Sequence, residues 1–178
     1  MRNENTKSNL IFSIFTYVFK AMSKEFPTFI KIKKKLEYYC SYQDRCHQEV
    51  QEKLRPYSLS TEEKDQIIVH LIQENYLNEE RFARSFARGK HRIKFWGKNR
   101  IINELKQRTI SQPNVKLALQ EISEEEYIET FDKLCERLWD SIRESNVLKK
   151  RKKFCDYLLR KGWESNLVYE KVKVMASS

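Results

Sequence analysis

The stretch from residue 81 to residue 100 combines many basic side chains with interleaved apolar residues and contains no Asp or Glu. Its cations are Arg81, Arg84, Arg88, Lys90, Arg92, Lys94, Lys98 and Arg100. Guanidinium and ammonium groups at this density bind phosphates or carboxylates. A solvated helix face is the competing interpretation. Arginines at four-residue spacing repel one another on a helix, and no acid within the stretch relieves that repulsion, which favours a binding surface.

A second basic cluster, "KKRKK", occupies residues 149–153. It precedes an apolar helical pattern, so its cations fall near a helix N-terminus, where positive charge opposes the helix dipole. This conflict again indicates binding; a nuclear-localisation signal is a nonspecific alternative. The sequence therefore predicts two sets of partner- or DNA-contacting residues. The first set is Arg81, Arg84, Arg88, Arg92, Lys94, Lys98 and Arg100, and the second is Lys149, Lys150, Arg151, Lys152 and Lys153.

Catalytic and metal-binding patterns do not stand out in the chain. It has no Gly-rich phosphate loop, nucleophile elbow or HExxH motif. The spacing Cys40-x5-Cys46-His47 fits no standard zinc knuckle, and its cysteines are interpreted as reduced core thiols. The sequence predicts a protein that is not an enzyme, with no catalytic residue, metal, cofactor or small-molecule substrate.

The elements that position these residues follow from a repeated pattern about 50 residues long. In each copy an apolar residue is followed four positions later by Leu and then, five positions later, by another apolar residue. The copies are Val50-Leu54-Leu59, Ile101-Leu105-Ile110 and Phe154-Leu158-Trp163. The four-residue step is one face of a helix, and the five-residue step crosses a helix end. We predict an all-α fold of three tandem three-helix repeats, at 29–77, 78–122 and 123–178, forming an elongated, curved, solenoid-like array.

Helix start and stop signals support this division. Ser60 with Glu63 and Ser123 with Glu126 have the spacing of capping boxes. Pro113 is typical of a first helical turn, and Gly162 of a helix C-terminus. The scarcity of turn residues, with three Gly and three Pro, also argues against a sheet.

The net charge and the N-terminal segment limit the kinds of partner that we expect. The formal charge of +10 predicts an anionic partner: a nucleic acid, an acidic protein surface or an anionic membrane. The apolar run "NLIFSIFTYVF" is far shorter than the ~20 residues of a membrane-spanning helix. We interpret residues 1–28 as a disordered or loosely docked extension, with a natural start at Met22 as the alternative. We expect a cytoplasmic monomer that does not bind membranes.

The residues of the middle repeat resemble a known family. "YLNEERFARSFARGKHRIKFWGKNRIINELKQRTIS", residues 76–111, is similar to the RecX family of bacterial recombination regulators. The resemblance rests on Tyr76, Leu77, Arg81, Phe82, Ala83 and Phe86, then on Arg100, Ile101, Glu104 and Leu105, and on "LLRKG" at 158–162. It covers about 33–175 and is most specific in the middle repeat. Trp96-Gly97 stands where many relatives carry a Gly-Pro-like turn.

The resemblance implies a function. RecX proteins bind the RecA recombinase, chiefly as its filament on DNA, and restrain its ATP hydrolysis and strand exchange in DNA repair, recombination and the SOS response. Some also contact DNA directly. We therefore expect an inhibitory RecA modulator that acts by binding. The alternatives are a general DNA-binding helical protein without a filament partner and a helical adaptor for another acidic protein.

Overall fold

The computed structural model describes residues 28–177, and this part of the chain is helical with no strand. Its helices are α1 (28–42), α2 (His47–Leu54), α3 (Thr61–Gln73), α4 (Glu79–Lys94), α5 (Lys98–Gln107), α6 (Gln112–Leu119), α7 (Glu124–Ser141), α8 (Val147–Arg160) and α9 (Ser165–Ser177). The all-α prediction is confirmed. The predicted extension at 1–28 lies outside the described residues except for residue 28, which is helical. Within the described range, no helix is long and apolar enough to cross a membrane.

The described chain forms two compact units, each with its own core. The first comprises residues 28–43 and 49–77, and its core is built by α1, α2 and α3 around side chains such as Leu36 and Leu71. The second comprises residues 44–48 and 78–177, and α4 to α9 share one core there. The predicted bounds of three repeats, and the elongated, curved arrangement, stay predictions.

The repeated apolar pattern marks core positions in all three copies. Val50 and Leu54, Ile101 and Leu105, and Phe154 and Leu158 are each at most 1% exposed. Ile110 and Trp163 are also buried, whereas Leu59 is half-buried against the first core. The four-residue step therefore identified the buried helical face, because residues at that spacing lie on one side of a helix.

One of the two predicted capping boxes is complete. The Glu63 N–H donates to Ser60 Oγ at 3.2 Å, and the Ser60 N–H donates to Glu63 Oε2 at 2.7 Å. At the start of α7 the Glu126 N–H donates to Ser123 Oγ at 3.1 Å, but the Glu126 carboxylate binds Arg92 instead. The reciprocal half of that second box was predicted wrongly, because a charged partner from α4 competes for the carboxylate.

The turn between α4 and α5 is held against the end of α8. The Gly97 N–H donates to the Lys161 carbonyl at 2.9 Å, and Trp163 Nε1 donates to the carbonyl of Phe95 at 3.2 Å. Phe95 itself has a left-handed backbone, with φ at 54°. A Cβ on Gly97 would lie 2.3 Å from the Gly162 carbonyl oxygen. The absence of side chains at Gly97 and Gly162 lets the two backbones touch, and this contact brings the start of α5 beside the end of α8.

Candidate partner-binding surface

Helix α4 carries most of the first predicted contact set. Its start is capped by Asn78, whose Oδ1 accepts from the Arg81 N–H at 2.9 Å. Phe82 and Ala87 face the core, as does Phe86 in part, so the packing role predicted for the two phenylalanines is confirmed. The helical period then places the arginines of α4 away from the core, where their head groups reach side chains of other helices.

Arg84 and Arg88 both bind the carboxylate of Glu121, which lies just after the end of α6. Arg84 Nη1 donates to Glu121 Oε1 and Arg88 Nη1 to Glu121 Oε2, each at 2.5 Å. Arg84 Nε also donates to Glu80 Oε1 at 2.8 Å. The Glu121 side chain is 21% exposed, so this three-residue group lies only partly in solvent.

Three more residues of the first predicted set are paired with carboxylates, namely Arg81, Arg92 and Lys98. Arg92 binds the Glu126 carboxylate through two hydrogen bonds, at 2.6 and 3.0 Å. Lys98 Nζ lies 2.8 Å from Glu124 Oε2. The remaining pair is Arg81 Nε with Asp44 Oδ1, at 2.7 Å.

These pairs correct a premise of the sequence argument. We expected the arginines of residues 81–100 to repel one another without relief, because the stretch contains no acid. The structure supplies the counter-ions from outside the stretch, mainly Glu121, Glu124 and Glu126 at the junction of α6 and α7. Local repulsion is therefore no argument for a binding role at Arg84, Arg88 or Arg92, and their role as contacts stays a prediction.

The pairing lowers the pKa of the Glu121 and Glu126 carboxyls. Hydrogen bonds from Arg88 and Arg84 hold the pKa of Glu121 below its ordinary value of 4.5. The hydrogen bond from Arg92 lowers the pKa of Glu126 in the same way. A carboxyl with a depressed folded-state pKa stabilises the fold above its unfolded pKa, and that contribution is lost as the pH falls through the folded value.

We therefore expect acidification below about pH 4.5 to lower the stability of the second unit. The three tryptophans, Trp96, Trp139 and Trp163, all lie in this unit, so the midpoint of urea unfolding followed by their fluorescence measures it. The double variant E121Q/E126Q should show a shallower decline between about pH 6 and pH 3, because its two amides do not titrate. An identical decline in the variant and the natural chain would contradict this role of the ion pairs.

A different set of cations meets around the contact of Gly97 with Gly162. It consists of Lys94 and Arg100 from the first predicted set together with Arg160 and Lys161. Arg100 Nη1 donates to the Arg160 carbonyl at 3.1 Å, and Lys161 Nζ donates to the Lys94 carbonyl at 2.9 Å. Within the described part of the chain, none of these four side chains forms an ion pair with a carboxylate.

Sequence reasoning missed Arg160 and Lys161 as members of this set. They appeared only as part of "LLRKG", the end of a helix before Gly162. The sequence feature that could have indicated this set is the pair Gly97, after α4, and Gly162, after α8, since glycine permits close approach of two backbones. Nothing in the sequence indicated that Gly97 and Gly162 touch each other.

The second predicted cluster lies on the first two turns of α8. Asn146 caps this helix by accepting from the Lys149 N–H at 3.1 Å. Lys153 pairs with Glu144 at 2.8 Å, and Lys150 Nζ lies 4.5 Å from the centre of the Trp139 ring. Arg151 is half-buried, whereas Lys149 and Lys152 are exposed. The partners of this cluster differ from the acids that neutralise α4, so the two predicted sets are separate groups.

One histidine and one cysteine of the second unit, His91 and Cys135, lie in its core. His91 is fully buried, with Nδ1 3.0 Å from the Trp96 carbonyl oxygen and its ring stacked on Tyr127. Burial raises the pKa of the Cys135 thiol to about 12. Across residues 28–177, no group of three or more His, Cys, Asp or Glu side chains is arranged to hold a metal ion.

Comparison with known families matches both three-helix sets of the second unit. Residues 78–119, which contain α4 to α6, match the model described as the second three-helix domain of RecX. Residues 124–172, which contain α7, α8 and most of α9, match the third three-helix domain of RecX. The two matches are consecutive and together cover just over half of the chain.

Individual relatives carry the same name. The chain is 27% identical over 130 residues to "Regulatory protein RecX" of Bacillus cytotoxicus, covering 73% of this chain and 48% of that protein. It is 34% identical over 91 residues to "Regulatory protein RecX" of Lactobacillus gasseri, covering 51% and 34%. The matched part of the chain thus spans about half the length of these curated relatives, or less.

Solved structures have the same fold. The crystal structure of RecX from Lactobacillus salivarius matches with a TM-score of 0.68 at 23% identity, over 84% of this chain and 97% of that one. A second crystal structure, of "regulatory protein RecX", matches with a TM-score of 0.71 at 25% identity, over 82% and 72%. Family models, relatives and fold agree with the resemblance seen in residues 76–111, and the chain belongs to the RecX family.

Proposed function

We propose that this protein is a regulator that binds the RecA recombinase, as its filament on DNA, and lowers its ATP hydrolysis and strand exchange. The observation that carries the proposal is the match of α4–α6 and α7–α9 to consecutive RecX domains, in relatives named regulatory proteins. Such a protein acts through its binding free energy, and the helices supply a surface for that purpose.

The charge distribution supports an anionic partner. The chain carries a net charge of +10, and a filament on DNA presents phosphates and acidic protein groups together. Lys94, Arg100, Lys149 and Lys152 are the predicted contact residues best placed for it, because they form no ion pair with a carboxylate among the described residues. The arginines of α4 would first have to exchange their present carboxylate partners, which weakens their net contribution to binding.

The direct test is RecA ATP hydrolysis on single-stranded DNA with increasing amounts of this protein. We expect hydrolysis to fall at protein concentrations up to equimolar with RecA, since a filament-bound regulator acts on the assembled filament. The strand-exchange reaction should slow over the same concentration range. Unchanged hydrolysis at an equimolar ratio would sink the proposed function.

A pair of matched double variants tests the α8 cluster. K149Q/K152Q removes two exposed cations and should require several-fold more protein for the same inhibition, as expected when two charge contacts are lost. K106Q/K116Q removes the same charge from exposed positions of α5 and α6 and should inhibit like the natural chain. If both double variants inhibit equally, Lys149 and Lys152 are not contacts.

Substituting Arg84 and Arg88 by Glu would be a poor test of the α4 arginines, because each new carboxylate would face the carboxylate of Glu121.

Salt dependence separates this function from simple DNA binding. The logarithm of the affinity for single-stranded DNA falls linearly with the logarithm of the salt concentration, and the slope is about 0.7 per neutralised phosphate. A filament-binding protein should still sediment with RecA–DNA filaments at a salt concentration that abolishes its binding to the same DNA without RecA. Loss of both interactions at one salt concentration would favour the general DNA-binding alternative.

A further inference from the structure

An open groove lies between α5 and the turn that joins α8 to α9, in the second unit. Its volume is about 360 Å³, within the range of small-molecule sites, and it is lined mainly by polar side chains. The polar lining includes Asn99, Arg100, Asn103, Glu104, Gln107 and Arg160. The groove exists because the backbones of Gly97 and Gly162 touch, which sets the start of α5 against the end of α8.

The groove carries two positive charges that form no ion pair with any carboxylate of residues 28–177. Arg100 and Arg160 are oriented by backbone carbonyls, through the hydrogen bonds of Arg100 to the Arg160 carbonyl and of Arg160 Nε to the Asp156 carbonyl at 3.2 Å. The carboxylate of the lining, that of Glu104, is paired with Arg108 at 2.7 Å. Both arginines therefore line the same open groove, and their charge is available there to an anion.

A row of side-chain amides gives the groove a second chemistry. Asn99, Asn103 and Gln107 recur every fourth residue, so they form one ridge of α5, and all three are exposed. A carboxamide both donates and accepts hydrogen bonds, as the edges of nucleobases do. Leu159 adds an apolar wall on the opposite side, suited to the face of a base. The guanidinium groups match the phosphate of a nucleotide, and the neighbouring amides match the edge of its base.

We propose that this groove binds a nucleotide unit of single-stranded nucleic acid, with its phosphate on Arg100 and Arg160 and its base edge on the amide ridge of α5. The groove has room for about one nucleotide unit. Single-stranded nucleic acid can turn a base into such a site at little cost, because its bases are unpaired. This site goes beyond the proposed function, since it requires no RecA.

Binding is measured by the fluorescence anisotropy of a labelled oligothymidine of about 15 nucleotides at low salt. R160A should bind about fivefold more weakly, because one phosphate contact is lost. For the same reason, the slope of its log affinity against log salt concentration should be shallower by about 0.7. N103D should bind about tenfold more weakly, because a carboxylate of nearly the same size replaces an amide donor beside the phosphate. K106A is the matched control: it removes one charge from an exposed position of α5 outside the groove and should bind within about twofold of the natural chain.

Four outcomes would overturn the assignment. The first is no binding of oligothymidine by the natural chain, and the second is binding by R160A and N103D that equals binding by K106A. The third is a duplex of the same length that binds as tightly and is weakened equally by both substitutions. The fourth is displacement of the oligomer by thymidine monophosphate at comparable nucleotide concentration, which would assign the groove to a free nucleotide. Circular dichroism spectra of the variants, which change only exposed side chains, check that the helices are retained.

A second measurement locates the site without any substitution. In ¹⁵N-correlated NMR spectra, the side-chain amide signals of Asn99, Asn103 and Gln107 should shift when oligothymidine is added, and that of Gln51, an exposed residue of the first unit, should not. The RecA hydrolysis assay separates the two proposals. Inhibition of RecA without oligothymidine binding would reject the groove alone, and oligothymidine binding without inhibition would reject the RecA function alone.

Discussion

Replacing Gly97 by alanine is expected to lower the free energy of unfolding of the second unit by about 3 kcal/mol. The backbone of Gly97 is extended, with φ at −75°, so alanine is conformationally allowed and only space forbids it. Its Cβ would lie 2.3 Å from the Gly162 carbonyl oxygen and 2.6 Å from the Trp163 nitrogen. Both are backbone atoms, so the end of α8 and the start of α5 would have to separate, breaking the hydrogen bond from Gly97 to Lys161.

Gly162→Ala should cost at least as much, about 3–4 kcal/mol, because it combines overlap with strain. Gly162 has φ at +86°, and its Cβ would lie 2.3 Å from the Cβ of Arg100. Gly89→Ala is the matched control: it lies inside α4 with nothing within 4 Å of the new Cβ, and should stabilise the unit by about 1 kcal/mol. The measurement is urea unfolding followed by tryptophan fluorescence. Equal midpoints for Gly97→Ala and Gly89→Ala would show that the two backbones do not touch.

Truncating Trp163 to alanine is expected to destabilise the second unit by about 4 kcal/mol. Trp163 is 1% exposed and lies at the centre of an aromatic cluster, with ring centroids 4.6 Å from Tyr127 and 4.9 Å from Phe131. Its Nε1 also donates to the carbonyl of Phe95, at the left-handed end of α4. Alanine would leave a cavity between α7 and α8 and an unpaired carbonyl at that turn.

Two further variants separate these contributions. Trp163→Phe keeps most of the ring and loses the donor, so it should cost about 1–2 kcal/mol. Trp139→Ala removes a half-buried tryptophan packed on Phe154, and its cost should fall clearly below that of Trp163→Ala. The remaining tryptophans report unfolding in each variant. A larger loss for Trp139→Ala than for Trp163→Ala would contradict the central position of Trp163.

The two largest expected effects concern one place, the junction of α4, α5 and α8. Gly97, Gly162 and Trp163 hold it together, and Arg100 and Arg160 border the groove that the junction creates. Variants of the first three residues therefore test the fold, whereas Arg160→Ala and Asn103→Asp test binding with the fold retained. Comparing the two groups prevents a loss of structure from being interpreted as a loss of contact.

The helices and most core positions could be predicted from the sequence because they depend on local spacing. The four-residue steps in Ile101-Leu105 and Phe154-Leu158 place both members of each pair in the core. The capping box at Ser60 is likewise complete within four residues. The second box, at Ser123, was half wrong because Arg92, distant in sequence, takes the Glu126 carboxylate. Local rules fail where a distant charged group competes.

The sequence by itself determined the helical class, the apolar anchors, the excess of positive charge and the resemblance to the RecX family. Only the tertiary structure decided which cations keep an available charge. It neutralises Arg84, Arg88 and Arg92 through Glu121 and Glu126. It brings Arg100 beside Arg160, and neither of these two forms an ion pair with a carboxylate in the part of the chain that the structure describes. The physical reason is that the charge a partner meets depends on the distances between groups in space, and those distances follow from how the helices pack.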